Sequence, residues 1–294
     1  MGLRWLLPVA AAVALLAPAE ATAWKRSLVQ GTQVCLFWEE RELPWVLNED
    51  GAPGLELEAV QQALRDSFAA WEGVECTDVR FIEQGLTSAR AVGYDNDGGA
   101  TNLIVFRDEL CEEVVEAGDP CWDDFSCGNE YGCWPFSSGV IAVTTTSYRE
   151  DTGQIVDADI EFNAASFRFT TSDRRPCARG ETEDCVSTDL ANTATHEIGH
   201  VLGIDHSEVM GSTMFASAPL GETSKRTLSS DDIDAVCTIY PIGEPANVCE
   251  HAYGLRRPDD GDGGCGGCAS SGTGAGLAWV VALGCLIRFR SRGR

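Results

Sequence analysis

One stretch constrains this chain more tightly than any other. It reads His196-Glu197-Ile198-Gly199-His200-Val201-Leu202-Gly203-Ile204-Asp205-His206-Ser207. On a helix with about 3.6 residues per turn, His196 and His200 lie one turn apart on the same face, where both imidazoles can bind a single ion. Glu197 then sits beside the open coordination position. Gly203 ends the helix, because a residue without Cβ takes the left-handed turn that swings His206 back as a third nitrogen ligand. Three neutral imidazoles and a water make a catalytic zinc site, so one Zn2+ is the implied cofactor. The bland alternative is a buried amphipathic helix whose histidines are satisfied by hydrogen bonds. Of the four histidines in the chain, three fall in this motif, and that concentration argues for the metal.

The spacing H-E-x-x-H-x-x-G-x-x-H resembles the metzincin signature, and the glycine and third histidine at fixed offsets make coincidence a poor account of it. Within that group the chain is similar to the matrixins. Ser207 follows the third histidine, Met214 stands eight residues beyond it like a Met-turn, Leu228-Ser229-Ser230-Asp231-Asp232-Ile233 resembles the family's C-terminal helix, and Gly139-Val140-Ile141-Ala142 its cleft-edge strand. The resemblance covers roughly Gln33 to Pro241 and implies an α/β (α+β), zincin-like catalytic domain. That domain would be a mixed five-stranded twisted sheet with three helices and an open cleft floored by the catalytic helix. Val140, Ile141, Ala142 and Val143 would pair with an extended peptide through main-chain hydrogen bonds. Phe215 and the residues to Pro219 would line the pocket for the side chain that follows the scissile bond. Met214 would form an apolar floor under the imidazoles.

The activity implied is that of a zinc-dependent endopeptidase acting as a monomer on protein or peptide substrates. Glu197 would take a proton from metal-activated water and pass it to the leaving amine. A catalytically silent binding or adhesion module is the rival from another class. Intact Glu197 and all three ligands favour the enzyme, since a vestigial site has no chemical reason to keep its base.

Departures from the family matter as much. Animal matrixins carry a second, structural zinc on further histidines, whereas the only spare histidine here is His251, and Glu161 stands where a family histidine would be. A structural zinc of that type is therefore not expected, and disulfides, with calcium, would brace the domain instead. Calcium ligands could come from Asp95 and Asp97 in Asp95-Asn96-Asp97-Gly98-Gly99, or from Asp157, Asp159 and Glu161, although Asn, Asp and Gly together also make ordinary turns. An inhibitory propeptide finds no room between the expected cleavage site and the first strand. Arg175-Pro176-Cys177 faintly resembles that propeptide's switch, but a loop disulfide of Cys177 with Cys185 suits its position better. Ala216 replaces the tyrosine of astacins and serralysins, which removes a tyrosine ligand switch.

The rest of the chain frames this domain. Residues 1–23 read as a secretory signal with Arg4, an apolar run from Leu6 to Leu16 and the small-x-small site Ala21-Thr22-Ala23. Residues 24–242 are the catalytic domain and 243–264 a Gly/Asp/Pro linker. Residues 265–294 hold Cys265 and Cys268, an apolar segment centred on Leu277 to Ile287 and four arginines. This tail resembles the tripartite sorting signals of bacterial surface proteins, of the glycine-cysteine type found in myxobacteria. Membrane contact is expected only through it, before processing.

The implied location is exported, at the cell surface or extracellular. Ten of the thirteen cysteines lie between Cys35 and Cys249, as a disulfide framework in an exported chain requires. Local pairs Cys177–Cys185 and Cys237–Cys249 are the expectation, while Cys111, Cys121, Cys127 and Cys133 crowd one acidic insertion. Residues 24–264 hold 16 basic and 45 acidic side chains, a net charge of −29 that repels nucleic acid.

Periodicity places a first strand at Val34–Trp38, a helix over Leu57–Trp71, and strands at Val79–Phe81, Asn102–Phe106, Gly139–Thr145 and Asp159–Phe162. The zinc-motif helix should be capped by Ser187 or Thr188. A last helix should start at Ser230 and Asp231, with Ile233, Val236 and Tyr240 inward. The insertion Asp108–Ser138 shows no periodicity, and its Trp122, Phe125, Tyr131 and Trp134 are expected to pack among the disulfides.

Overall fold

The computed structural model describes residues 23–94 and 102–249, together with the backbone of Val280–Ala282. Its framework is one five-stranded sheet: β1 (Glu42–Asn48), β2 (Arg80–Thr87), β3 (Leu103–Arg107), β4 (Ala142–Tyr148) and β5 (Ile155–Asn163), in the order β2-β1-β3-β5-β4. The first four in that order run parallel, and β4 is antiparallel to β5 at the edge. Three longer helices accompany it: α1 (Leu57–Glu72), α2 (Leu190–Val201) and α3 (Ser230–Ile239). This is the mixed sheet with three helices that the resemblance implies.

The expected first strand is corrected. Val34–Trp38 makes only isolated bridges, Leu28 to Cys35 and Phe37 to Gln154. The first sheet strand is β1, which the periodicity reading missed because Pro44 and flanking acids interrupt it. Its Leu43, Trp45 and Leu47 nevertheless alternate into the core. Pro44 lies before the stretch of β1 that pairs with β3, Val46 and Leu47, so its missing N–H faces no ladder there; its carbonyl accepts from Asn102 Nδ2 at 2.7 Å, and the β1–β2 register slips between Trp45 and Leu47.

Helix α1 buries Val60, Ala63, Leu64, Ser67, Phe68 and Trp71, the stripe its three- and four-residue spacing dictates. Phe68 stacks on Trp45 at 4.6 Å and meets Phe81 at 4.7 Å, fixing α1 on the sheet. The same buried stripe also meets the zinc-motif helix. Trp71 Nε1 donates to the carbonyl of Thr195 at 2.9 Å, and Ser67 Oγ donates to that of Ala191 at 3.2 Å.

The expected cap of α2 and the expected inward face of α3, which does start at Ser230, are also corrected. Asp189, not Ser187 or Thr188, caps α2: its carboxylate accepts from Asn192 N at 2.8 Å. In α3 the capping box is Ser229 with Asp232, and Ile233 is exposed while Ala235, Val236, Ile239 and Tyr240 are buried.

The insertion folds as three single-turn helices, Cys111–Val114, Cys121–Asp124 and Cys127–Tyr131, held by disulfides Cys111–Cys133 and Cys121–Cys127. Trp134 is buried there, but Phe125 and Tyr131 face solvent, so only part of the aromatic set packs inward. Cys177 pairs with Cys185 as expected. The pair Cys237–Cys249 does not form; the bonds are Cys76–Cys237 and Cys35–Cys249. Proximity in sequence misled here, because α3 packs back on the turn after α1 while the segment after it reaches the chain's start.

Residues 1–22, residues 95–101 and nearly all of the tail lie outside the described residues, and with them the expected signal, Asp95, Asp97, His251 and the expected sorting motif. Val280–Ala282 pairs antiparallel with Ser217–Pro219. Among the described residues no helix is long and apolar enough to cross a membrane.

The two long-range disulfides constrain the unfolded chain most, with sequence separations of 161 and 214. Replacing Cys76 and Cys237 together by serine should lower the unfolding free energy by about 2–5 kcal/mol. Denaturant titration of the double variant against the parent checks this, and an unchanged midpoint would contradict it.

Candidate metal centre

Helix α2 carries His196 and His200 on one face, as its period requires. Gly203 follows the helix at φ +76, and a Cβ there would come 2.8 Å from the carbonyl oxygen of Leu36. That turn returns His206 to the helix: its Nε2 lies 3.3 Å from His196 Nε2. The ligand atoms of all three histidines lie within 4.8 Å of one another, and among the described residues they form the cluster able to hold an ion.

The imidazoles are set for coordination by what their other nitrogens do. His196 Nδ1 donates to the carbonyl of Thr213 at 2.6 Å, and His200 Nδ1 to that of Ile204 at 2.8 Å. Each Nε2 is thereby left with its lone pair, which is the tautomer a metal needs. Burial holds the rings neutral: His196 is pushed well below the usual histidine range, His200 to about 4 and His206 to about 3. His200 Nε2 is buried without a hydrogen-bond partner. An orphaned lone pair aimed at two others is costly alone and ideal around a cation, so the residues fit a zinc ion.

Glu197 is fully buried. Its Oε2 accepts from Thr144 Oγ1 of the edge strand β4 at 2.7 Å, whereas Oε1 has no partner. Burial raises this carboxyl to about 8, with Thr144 and the more distant Lys225 opposing. Thr144 is a site residue that sequence reasoning missed; only its place in the edge strand hinted at it.

Met214 is completely buried, and its sulfur lies against Gly199 of α2. A Cβ on Gly199 would fall 2.2 Å from that sulfur and 3.0 Å from Trp71 Cζ2, so the glycine between Glu197 and His200 lets the Met-turn rise under the imidazoles. Asp232 of α3 fixes this turn, accepting from Ser212 Oγ at 2.5 Å, Thr213 N at 2.8 Å and Met214 N at 3.0 Å. Asp231 takes Ser207 Oγ at 2.6 Å, with Ala23 N at 2.7 Å and Trp24 N at 3.2 Å. The paired acids of α3 thus brace both sides of the loop bearing His206.

The remaining predicted site residues divide. β4 is the free edge of the sheet, but the side chains of Ile141, Ala142 and Val143 point into the core. The carbonyls of Val140 and Ile141 are taken by Asn163 of β5, at 2.8 and 2.9 Å, on the inner side of this edge. Phe215 flanks the ligand loop, bridged in parallel to Ser207.

Of the expected calcium ligands, Glu161 is instead paired with buried Arg107 at 2.8 Å. Asp159 accepts from Gly93 N and from Leu103 N at 2.6 Å. Burial and then Asp157 push its carboxyl well above the usual range.

Comparison with known proteins agrees with this geometry. A family model described as Matrixin matches residues 129–241, which include the edge strand, the three histidines and α3. Karilysin of Tannerella forsythia is 43% identical over 68 residues, 22% of this chain and 14% of that protein. Human neutrophil collagenase is 24% identical over 207 residues, 70% of this chain and 33% of the collagenase. Metalloendoproteinase 1 of Glycine max is 44% identical over 54 residues, 18% of this chain and 17% of that protein. The chain spans a third or less of the length of these relatives.

Gly199→Ala should overpack the site and cost about 1–3 kcal/mol of stability. Adding Met214→Ala should return part of that loss, because the two side chains would compete for one space. Chemical unfolding of the two single variants and the double variant measures the coupling; strict additivity would refute the contact.

Proposed function

We propose that this protein is a zinc-dependent endopeptidase that hydrolyses peptide bonds of extended polypeptides. The observation that carries the reading is a buried carboxylate with one oxygen unpartnered beside three converging, neutral imidazole nitrogens. The matches to matrixins and to proteins named as metalloendoproteinases and a collagenase support it.

Zinc held by His196, His200 and His206 would supply a Lewis acid that lowers the pKa of water from about 15.7 toward about 7. Glu197 takes the proton at Oε1, the oxygen left free, while Thr144 holds Oε2 and so fixes the carboxylate plane. The positive charge beside it favours the ionised form that burial alone disfavours. Glu197 then delivers the proton to the amine nitrogen of the leaving segment, which cannot depart as an anion. β4 aligns the substrate through its open main-chain edge, so the peptide must be extended or unfolded locally. Met214 and Asp232 keep the histidines in place and touch no reacting atom.

The wider organisation belongs to the same reading. Residues 24–242 form the catalytic domain, exported through a signal at 1–23 and carried by a linker at 243–264 to a sorting tail at 265–294, which places a monomeric enzyme at a bacterial surface or outside the cell. Disulfide bracing in place of a structural zinc accords with five cystine bridges among the described residues. Calcium is retained in this reading at Asp95 and Asp97 or at Asp157 and Asp159, without Glu161, which is committed to Arg107.

Glu197→Gln should keep the fold and the zinc and abolish cleavage of unfolded casein. Metal analysis and a digestion assay on the same preparation check both halves, and cleavage at the parent's rate would refute the role of Glu197. Thr144→Val should lower kcat about 10- to 100-fold with little change in zinc content, the cost of loosening a hydrogen bond that orients a catalytic group. Single-turnover rates on a fixed peptide measure it.

A further inference from the structure

Lys225 is a buried lysine without a carboxylate. It sits in the 3-10 turn Ser224–Arg226, only 1% exposed. Its backbone N–H donates to Asn192 Oδ1 at 2.8 Å, one helical turn before His196, and its carbonyl accepts from Thr213 Oγ1 at 3.3 Å. Thr213 is the residue whose own carbonyl holds His196. The Lys225 ammonium donates to the carbonyl of Phe215. The backbone of Lys225 is therefore tied to α2 and to Thr213, and its ammonium reaches the segment that runs on from Met214, where the endopeptidase reading puts the substrate residue that follows the scissile bond.

Its neighbour shows what is missing. Arg226 has two acids, Asp189 at 2.5 Å and Asp173. Among the described residues no carboxylate comes within ion-pair distance of Lys225. Glu222, Glu197 and Asp232 act on it from beyond that distance: Asp232 holds the Met-turn, Thr144 takes one oxygen of Glu197 and Ser224 Oγ one of Glu222 at 2.6 Å, and each of these two glutamates keeps its other oxygen unpartnered. Burial lowers the ammonium only to about 8, so it is charged at neutral pH. An ammonium has three donors, and the Phe215 carbonyl accounts for one. A buried charge in that state is poorly compensated until an anion joins it.

We propose that Lys225 determines the specificity of this cleft by pairing with an acidic side chain, Asp or Glu, on the substrate residue that follows the scissile bond. The inference rests on the endopeptidase reading for the identity of that position. It assigns a substrate class to a pocket that would otherwise be read as apolar. The remaining ammonium donors meet the carboxylate oxygens. An amide or alkyl side chain of the same length leaves the charge unpaired.

The test uses the zinc-loaded protein and quenched fluorescent peptides that differ only at that position: Glu, Gln, Asp, Asn, Ala or Leu. The expected result is a kcat/KM for Glu or Asp at least about tenfold above its amide counterpart. In Lys225→Met the acid-to-amide ratio should fall to about one, and the ratio is read within each variant so that a change in overall activity does not enter. Equal rates for Glu and Gln in the parent would overturn the proposal. So would a preference set by size alone, with Ala fastest, which would mean that Lys225 plugs the pocket or turns to Glu222. If Lys225→Met does not fold, the parent ratio decides.

A separate measurement keeps this apart from the question of catalysis. Calorimetry on the Glu197→Gln protein compares product-like peptides that begin with Glu or Gln. Tighter binding of the Glu peptide supports the role of Lys225 even if no substrate is cut, whereas failure to cut casein or any peptide in the series removes the endopeptidase reading. Equal binding overturns the proposal for Lys225.

Discussion

Everything in this domain accommodates one costly arrangement, the burial of a helix whose functional atoms have no partners within the protein. His200 Nε2 and Glu197 Oε1 are orphaned in the interior, and three neutral imidazoles are held close together with lone pairs converging. In a folded protein such groups are tolerated only where the surrounding structure over-determines their positions or where a ligand completes them. Here the over-determination can be traced residue by residue.

The helix is gripped through its backbone as well as its side chains. Trp71 and Ser67 from α1 reach carbonyls on its outer turns. At its C-terminus, where helix carbonyls lack internal partners, Trp38 Nε1 takes the oxygen of Val201 at 2.8 Å and the Tyr240 hydroxyl takes that of Leu202 at 2.9 Å. At its start Asp189 caps the backbone and is itself anchored by Arg226. The helix therefore cannot rotate to relieve its unpaired groups, since each end is tied to a different part of the core. Asp231 and Asp232 do the same for the loop after it. Each accepts several donors, and hydrogen bonds to a charged acceptor contribute about 1.5–3 kcal/mol apiece.

A very acidic chain has to keep its negative charge from disturbing such a site. Most of the acids are outside, where solvent screens them. Several of the buried ones have assigned partners: Glu161 with Arg107, Asp189 with Arg226, Asp232 with the Met-turn. Lys225 is buried near the metal centre without an ion pair among the described residues, its ammonium donating to the carbonyl of Phe215. Disulfides add restraint where a chain of this composition has few opposite charges to spare. They join the start of the domain to its end and α3 to the turn after α1.

Much of the metal centre was legible because its determinants are local. The offsets of His196, His200, Gly203 and His206 fix a helix, its end and a return on their own, and Met214 and the acids of α3 carried a family pattern. The amphipathic stripe of α1 and the alternation in β5 were readable for the same reason. Other features depend on contacts that no local pattern encodes. β1 was hidden by Pro44, which is accommodated because pairing with β3 begins only at Val46. The pairing of Cys237 with Cys76 and of Cys249 with Cys35 depends on where α3 docks. Thr144 gains its role only because an edge strand passes over Glu197, and Lys225 because a turn folds under Phe215. The sequence by itself determined the cluster of three histidines, the glutamate beside it and the class of fold, since these follow from periodicity within a few turns of chain. Only the tertiary structure decided which oxygen of Glu197 is free, which acids lock the loop and which cation is left without a counter-charge, because hydrogen bonds and burial between distant segments exist only once those segments meet.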